Sequence, residues 1–169
     1  MAASTQISVE EYLRTTYRPD CDYVDGEVRE RNVGERDHSE PQAVVAAYFY
    51  NRKAQWRICA LTEQRVQVID RRFRIPDICV LRADAPREQI VTAPPLISIE
   101  ILSKDDTFKS VNDRLEDSAS MGVPNVWMLD PRRRRGYVYN SQGFLEAKDG
   151  VLRVAGSEIA VPLAEIFES

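Results

Sequence analysis

Apolar residues recur along this chain at two spacings, and the places where the spacing changes mark its elements. In "SVEEYLRTTY", Val9, Tyr12 and Leu13 fall on one side of a helix, and Ser8 followed by Glu11 has the form of a capping box, so a short helix begins here. The next segment, "CDYVDGEVRE", carries an Asp-Gly pair between two short alternating runs. Both turn residues tolerate positive φ, which predicts a β-hairpin. In "HSEPQAVVAAYFYNRKAQ" a stripe of Val44, Val45, Ala47, Tyr48 and Phe49 predicts a core-facing helix, with Ser39 as N-cap and Pro41 in its first turn.

Three strand-like runs follow, "WRICAL", "RVQVI" and "FRIPDICVLR", the last two separated by the polar turn "DRR". "PPLISIEIL" is almost continuous in β-branched residues and Leu, the mark of a strand covered on both faces. A helix is predicted from Lys109 to Met121 with Gly122 as its C-terminal stop, and "NVWMLD" is a second buried strand. A hairpin at "PRRRRG", the strand "YVYN", the pair "GFLEAK" and "GVLRVA", and a turn of helix at "PLAEIF" complete the pattern. A buried strand, a helix of about four turns and another buried strand make a crossover unit, so part of the sheet must be parallel. The fold class expected is α/β with a mixed central β-sheet.

Length and composition narrow the picture. At 169 residues the chain fits one domain spanning 1–169. No apolar run approaches the roughly 20 residues of a membrane helix, and "MAASTQISVEEYL" lacks the basic and long apolar segments of a secretory signal, so the expected location is the cytoplasm, with no membrane partner. Cys21, Cys59 and Cys79 form no CxxC pair, which argues against a disulfide framework or a thiolate zinc site and leaves them as core or strand residues. Net charge is −4, so any contact with nucleic acid must come from a local basic patch rather than the whole-molecule field.

Two acids break the apolar pattern. In "RIPDICV" alternation puts Asp77 on the face of Ile75, Cys79 and Leu81, and in "LISIEIL" Glu100 shares a face with Ser98 and Leu102. Burying an ionised carboxylate costs several kcal/mol unless it is paired, hydrogen-bonded or bound to metal. Two of them on consecutive strands can lie side by side, where a divalent cation relieves their repulsion, and oxygen donors suit Mg²⁺ or Mn²⁺. Pro76 fits an edge or a bulge bordering such a site. The alternative is structural: Asp77 paired with Arg65 or Arg74, and Glu100 reaching solvent at a strand end.

The order of "SVEEYL", "YVDGEV", a lone His before the long helix, "RIPDICVL", "PPLISIEILS", "SKDD" and "GVPNVWMLDP" resembles the Uma-two family of the PD-(D/E)xK nuclease superfamily over most of the chain. The resemblance implies a restriction-endonuclease-like mixed sheet flanked by helices, with Asp77 and Glu100 as metal ligands and the Ile101 carbonyl as a third. It places Asp22 at the family's acidic position before the hairpin turn and His38 at its lone histidine. By spacing, the family's lysine on the following helix is Arg114 here, and its aromatic residue one turn later is Ser118. An arginine stays protonated and can position water or stabilise phosphate charge, but it cannot serve as a base. Lys104 and Lys109 are nearby substitutes, or else solvated lysines.

Other chemistry is thinner. His38 is the only histidine, which rules out multi-histidine metal sites; a hydrogen-bonding role near the acids and a surface position at a helix start both stay open. No G-x-S-x-G, Walker or GxGxxG motif occurs. Arg132 to Arg135 read as an exposed turn, or as phosphate contacts together with Arg71, Arg72 and Arg74 if they face the cleft. Trp127 and Tyr48 read as core. The leading expectation is a Mg²⁺- or Mn²⁺-dependent endonuclease acting on DNA, with Asp22 as accessory ligand and a homodimer suited to double-strand cutting. The alternatives are a catalytically silent protein of the same fold that binds nucleic acid or a protein partner and, last, an oligomerisation module.

Overall fold

The computed structural model describes residues 6–32 and 34–167. In chain order its elements are α1 (Val9–Arg14), β1 (Cys21–Val24), β2 (Glu27–Glu30), α2 (Arg36–Asn51), α3 (Lys53–Trp56), β3 (Ile58–Thr62), β4 (Val66–Ile69), β5 (Arg72–Arg74), β6 (Ile78–Arg82), β7 (Ile97–Ile101), α4 (Phe108–Met121), β8 (Asn125–Asp130), β9 (Arg135–Asn140), β10 (Gly143–Glu146), β11 (Val151–Arg153), β12 (Ala160–Pro162) and α5 (Leu163–Phe167). The local signals explain most of them. Ser8 accepts a hydrogen bond from the Glu11 N–H, Asp25 and Gly26 both have positive φ at the hairpin tip, and Thr107 with Ser110 closes a capping box on α4.

A six-stranded sheet in the order β10-β9-β8-β7-β6-β3 forms the centre, with β7 and β8 parallel across the α4 crossover and the other pairs antiparallel. Alternation sorts its side chains onto two faces. Ile78, Val80, Ile97, Ile99, Ile101, Trp127 and Leu129 pack with Val45 and Phe49 of α2, while Val126 and Met128 pack with Val111 and Leu115 of α4. All five β7 residues are buried, as a strand covered on both faces requires. Each fully buried Ile is worth about 1.5–3 kcal/mol over its exposed state, so the register of β7 is strongly fixed. A second, four-stranded antiparallel sheet, β2-β1-β5-β4, carries the Tyr12, Tyr23 and Phe73 cluster, and β11 pairs with β12.

Three expectations change. "FRIPDICVLR" is not one strand: β5 belongs to the small sheet and β6 to the central one, and the chain crosses between them at Ile75-Pro76-Asp77. Proline has no N–H for a ladder and biases the residue before it away from helical geometry, so an extended crossing falls naturally here. Helix α2 starts at Arg36 rather than after Ser39, which puts Pro41 in the second turn and His38 in the first. "GFLEAK" and "GVLRVA" do not pair with one another; β10 extends the central sheet beside β9, and β11 takes β12.

Candidate active site

Strands β6 and β7 run side by side with Ile78 opposite Ile99, so continuing that register sets Asp77 opposite Glu100 and Pro76 opposite Ile101. Asp77 lies just before β6, on the face of Cys79, and Glu100 points to the same α4-facing side as Ser98. Both are buried, at 2% and 3% exposure. The Ile101 N–H donates to Asp77 Oδ2 at 2.7 Å. N–H and C=O of one strand residue face the same neighbour, so the Ile101 carbonyl is turned to this edge too, where Pro76 has no N–H to offer it. That is what the proline in "RIPDICV" does locally.

Guanidinium groups meet each acid. Arg31, just past β2, places Nη2 at 2.6 Å from Asp77 Oδ1, and His38 Nε2 is at 3.2 Å from Asp77 Oδ2. Arg114 on α4 donates from Nε to Glu100 Oε2 at 2.9 Å and from Nη2 to Asp106 Oδ1 at 3.0 Å. Burial pushes the Asp77 carboxyl up, but the His38 hydrogen bond, Arg31 and the Ile101 N–H outweigh it and hold the carboxyl below its usual range. Glu100 goes the other way. Burial, with the neighbouring Asp77 charge, raises it to about 7 in spite of Arg114. His38 is raised above its ordinary value by its bond to Asp77, and Arg114 is raised by Glu100 and Asp106 against the effect of burial. His38 Nδ1 is buried without a hydrogen-bond partner among the described residues.

Asp22 stands in the wall of the same cleft, engaged elsewhere. Its Oδ2 accepts Arg74 Nη1 at 3.0 Å and its Oδ1 accepts the Ile75 N–H at 3.1 Å. Arg74 Nε continues to Asp117 on α4 at 2.7 Å, Asp117 also takes Arg72 Nη1 at 2.8 Å, and Arg72 reaches Asp25. This ladder ties the small sheet to α4 and fixes the backbone that leads into Asp77. The structural alternative read from sequence fails in its partners: Asp77 meets Arg31, not Arg65 or Arg74, while Arg74 serves Asp22 and Asp117 and Arg65 lies over the Tyr12 ring. Glu100 does not reach solvent.

Lys104 pairs with Glu35, and Lys109, 82% exposed, with Asp113; neither points at the acids. Arg132 to Arg134 lie in the exposed β8–β9 turn, which Asp130 holds by accepting the Arg132 and Arg133 N–H groups, and Arg135 opens β9. Cys21 and Cys79 are buried and Cys59 is exposed on β3. Sequence reasoning missed Arg31, Asp106 and Asp117. Only Asp106 left a trace, as the last acid of "SKDD".

The cleft these residues line has a volume of about 240 Å³. Its donor chemistry fits a hard divalent cation: two adjacent carboxylates and a backbone carbonyl with no proline N–H opposite it. Among the described residues no three acidic, histidine or cysteine side chains converge as a ligand set, so such an ion would rely on Asp77, Glu100, the Ile101 carbonyl and water. The raised Glu100 carboxyl points the same way, because its charged form is under-compensated. Arg31 occupies one oxygen of Asp77 as things stand. The peptides and arginines could equally orient a phosphate.

The family model Uma2, described as "Putative restriction endonuclease", matches residues 9–159. A crystal structure described as a putative nuclease belonging to DUF820, from Anabaena variabilis, superimposes with a TM-score of 0.83 at 24% identity, covering 96% of this chain and 98% of that one. The two chains thus share the fold from end to end. No curated protein matches the chain.

Proposed function

The chain belongs to the Uma2 family, and on that premise we propose that it is a divalent-metal-dependent endonuclease, a single nuclease-like domain that hydrolyses DNA phosphodiester bonds at the Asp77–Glu100 cleft. The observation that carries this reading is the convergence of Asp77, Glu100 and the Ile101 peptide at the junction of β6 and β7. Asp77, Glu100 and the Ile101 carbonyl would hold Mg²⁺ or Mn²⁺. Bound there, the ion would lower the pKa of a water and offset charge on the phosphate.

The remaining roles belong to the chain's own groups. Arg114, anchored on α4 between Glu100 and Asp106, stays protonated and would hold the scissile phosphate or the attacking water in place. His38 would orient Asp77 through Nε2. Asp22 fits a positioning role better than that of an accessory ligand, since both its oxygens already serve Arg74 and Ile75. A cytoplasmic location, and a homodimer for paired strand cuts, go with this reading.

One observation favours a second reading. Both acids are met by guanidinium groups, an arrangement that a binding protein without catalysis would also tolerate. Plasmid DNA incubated with purified protein and Mg²⁺ or Mn²⁺ decides between them: the hydrolase nicks or linearises the plasmid, and Asp77→Ala abolishes the cut. Equal cleavage by Asp77→Ala would remove the site from the reaction. No cleavage by either, with metal-independent DNA binding, would establish the second reading.

A further inference from the structure

Arg31 is a cation already placed among acids. It sits at the end of the hairpin strand β2, mostly buried, with Nη2 at 2.6 Å from Asp77 Oδ1 and Nη1 at 4.0 Å from the half-exposed Glu63 carboxylate. The Asp77, Glu100, Asp22 and Glu63 charges all act on it in the same direction. Its grip differs from that of Arg114, which bridges two buried carboxylates, Glu100 and Asp106, from a 14-residue helix. Arg31 has one close carboxylate and hangs from an edge strand; its neighbour Asn32 donates side-chain hydrogen bonds to Ser103 and Asp106. Of the two guanidinium groups on the acid pair, Arg31 is the one held by fewer close carboxylates.

On the hydrolase reading of this site, we propose that Arg31 is the resting counter-ion of Asp77, competing with a divalent cation for its Oδ1 and passing to the substrate phosphate when the cation binds. The swap keeps charge balanced. With no cation, the guanidinium neutralises a carboxylate that burial would otherwise penalise; with a cation on Asp77, two positive groups on one oxygen repel, and the phosphate of an incoming nucleic acid is the nearest anion to receive a planar donor fork. Arg31 would thus keep the apo site folded and unreactive, then join Arg114 on the phosphate.

Calorimetric titration of Mn²⁺ alone into metal-stripped full-length protein tests the first half. Arg31→Gln should bind Mn²⁺ about tenfold more tightly than wild type, a factor set by the loss of one short-range competing ion pair, while Arg31→Lys stays near wild type. The gain should vanish in Arg31→Gln/Asp77→Asn. Arg31→Met, which keeps the apolar stem, replaces the Gln variant should that one not fold. Equal or weaker Mn²⁺ binding by Arg31→Gln overturns the proposal and leaves the hydrolase reading standing; no Mn²⁺ uptake by any protein overturns both. For the second half, a fluorescent duplex oligonucleotide is titrated at saturating Ca²⁺. Several-fold weaker binding by Arg31→Gln than by wild type is expected, and equal or tighter binding removes the phosphate role.

Discussion

Glu100 shows how a single side chain couples fold and site. The native protein holds its proton up to about pH 7 because burial disfavours the charge, whereas an unfolded Glu releases it near 4.5. A folded-state pKa above the unfolded value gives stability that is complete below the unfolded pKa and is lost as pH rises through the folded one. Glu100→Gln has no such loss, so in chelator its stability relative to wild type should increase between pH 5 and pH 8, as read by urea melts at each pH. A difference that does not change with pH would mean the carboxyl is adequately paired by Arg114. The cysteines give a second test at this scale. Burial pushes the Cys79 thiol up to about 12, and Cys59 is exposed, so a thiol reagent at neutral pH should label Cys59 in the native protein and reach Cys79 only on unfolding.

Helix α4 and strand β5 are joined by a run of charges rather than by apolar surface. Asp117, 5% exposed, accepts from both Arg72 and Arg74, and Arg74, 6% exposed, passes on to Asp22. Removing Asp117 takes one carboxylate from Arg74, which keeps Asp22, and one from Arg72, which keeps Asp25, so the cost is about that of losing a charge-assisted hydrogen bond, about 1.5–3 kcal/mol. Asp117→Ala should therefore lower the denaturation free energy by about that much, although it touches no proposed metal donor. A loss under about 1 kcal/mol would show that the ladder is well hydrated and contributes little. The same ladder explains why β5 and β6 diverge at Pro76 without fraying: Asp22 holds the Ile75 N–H that no neighbouring strand takes.

Across the whole molecule, the small sheet and the central sheet meet at the cleft, and β1, the end of β2, α2, β7 and α4 each contribute a side chain to it. A ligand bridging these elements would stabilise the fold as a unit. Mn²⁺ at about one hundred times its dissociation constant should add about 2.7 kcal/mol and raise Tm by several degrees, and Asp77→Asn should abolish the shift. No shift in wild type at millimolar Mn²⁺ would count against a cation at Asp77. Among the described residues no helix is long and apolar enough to cross a membrane.

Sequence by itself determined the elements whose signals are local: the Ser8 cap of α1, the Asp-Gly hairpin, the Gly122 stop of α4, and the buried β7. It also determined that Asp77 and Glu100 need explaining, because an acid in an apolar alternation breaks the pattern at one identifiable position. Tertiary structure decided what answers them. An arginine after a hairpin strand reads the same in sequence whether it is solvated or buried, so the role of Arg31 depended on where the end of β2 lies relative to β6. The split of "FRIPDICVLR" was hidden for a similar reason: strand-forming residues continue on both sides of Pro76, and only the pairing partners on each side distinguish one strand from two. Side-chain type and spacing fix local geometry within a few residues, whereas charge pairing is set by distances between segments far apart in the chain, which the packing of α2 and α4 on opposite faces of the sheet establishes.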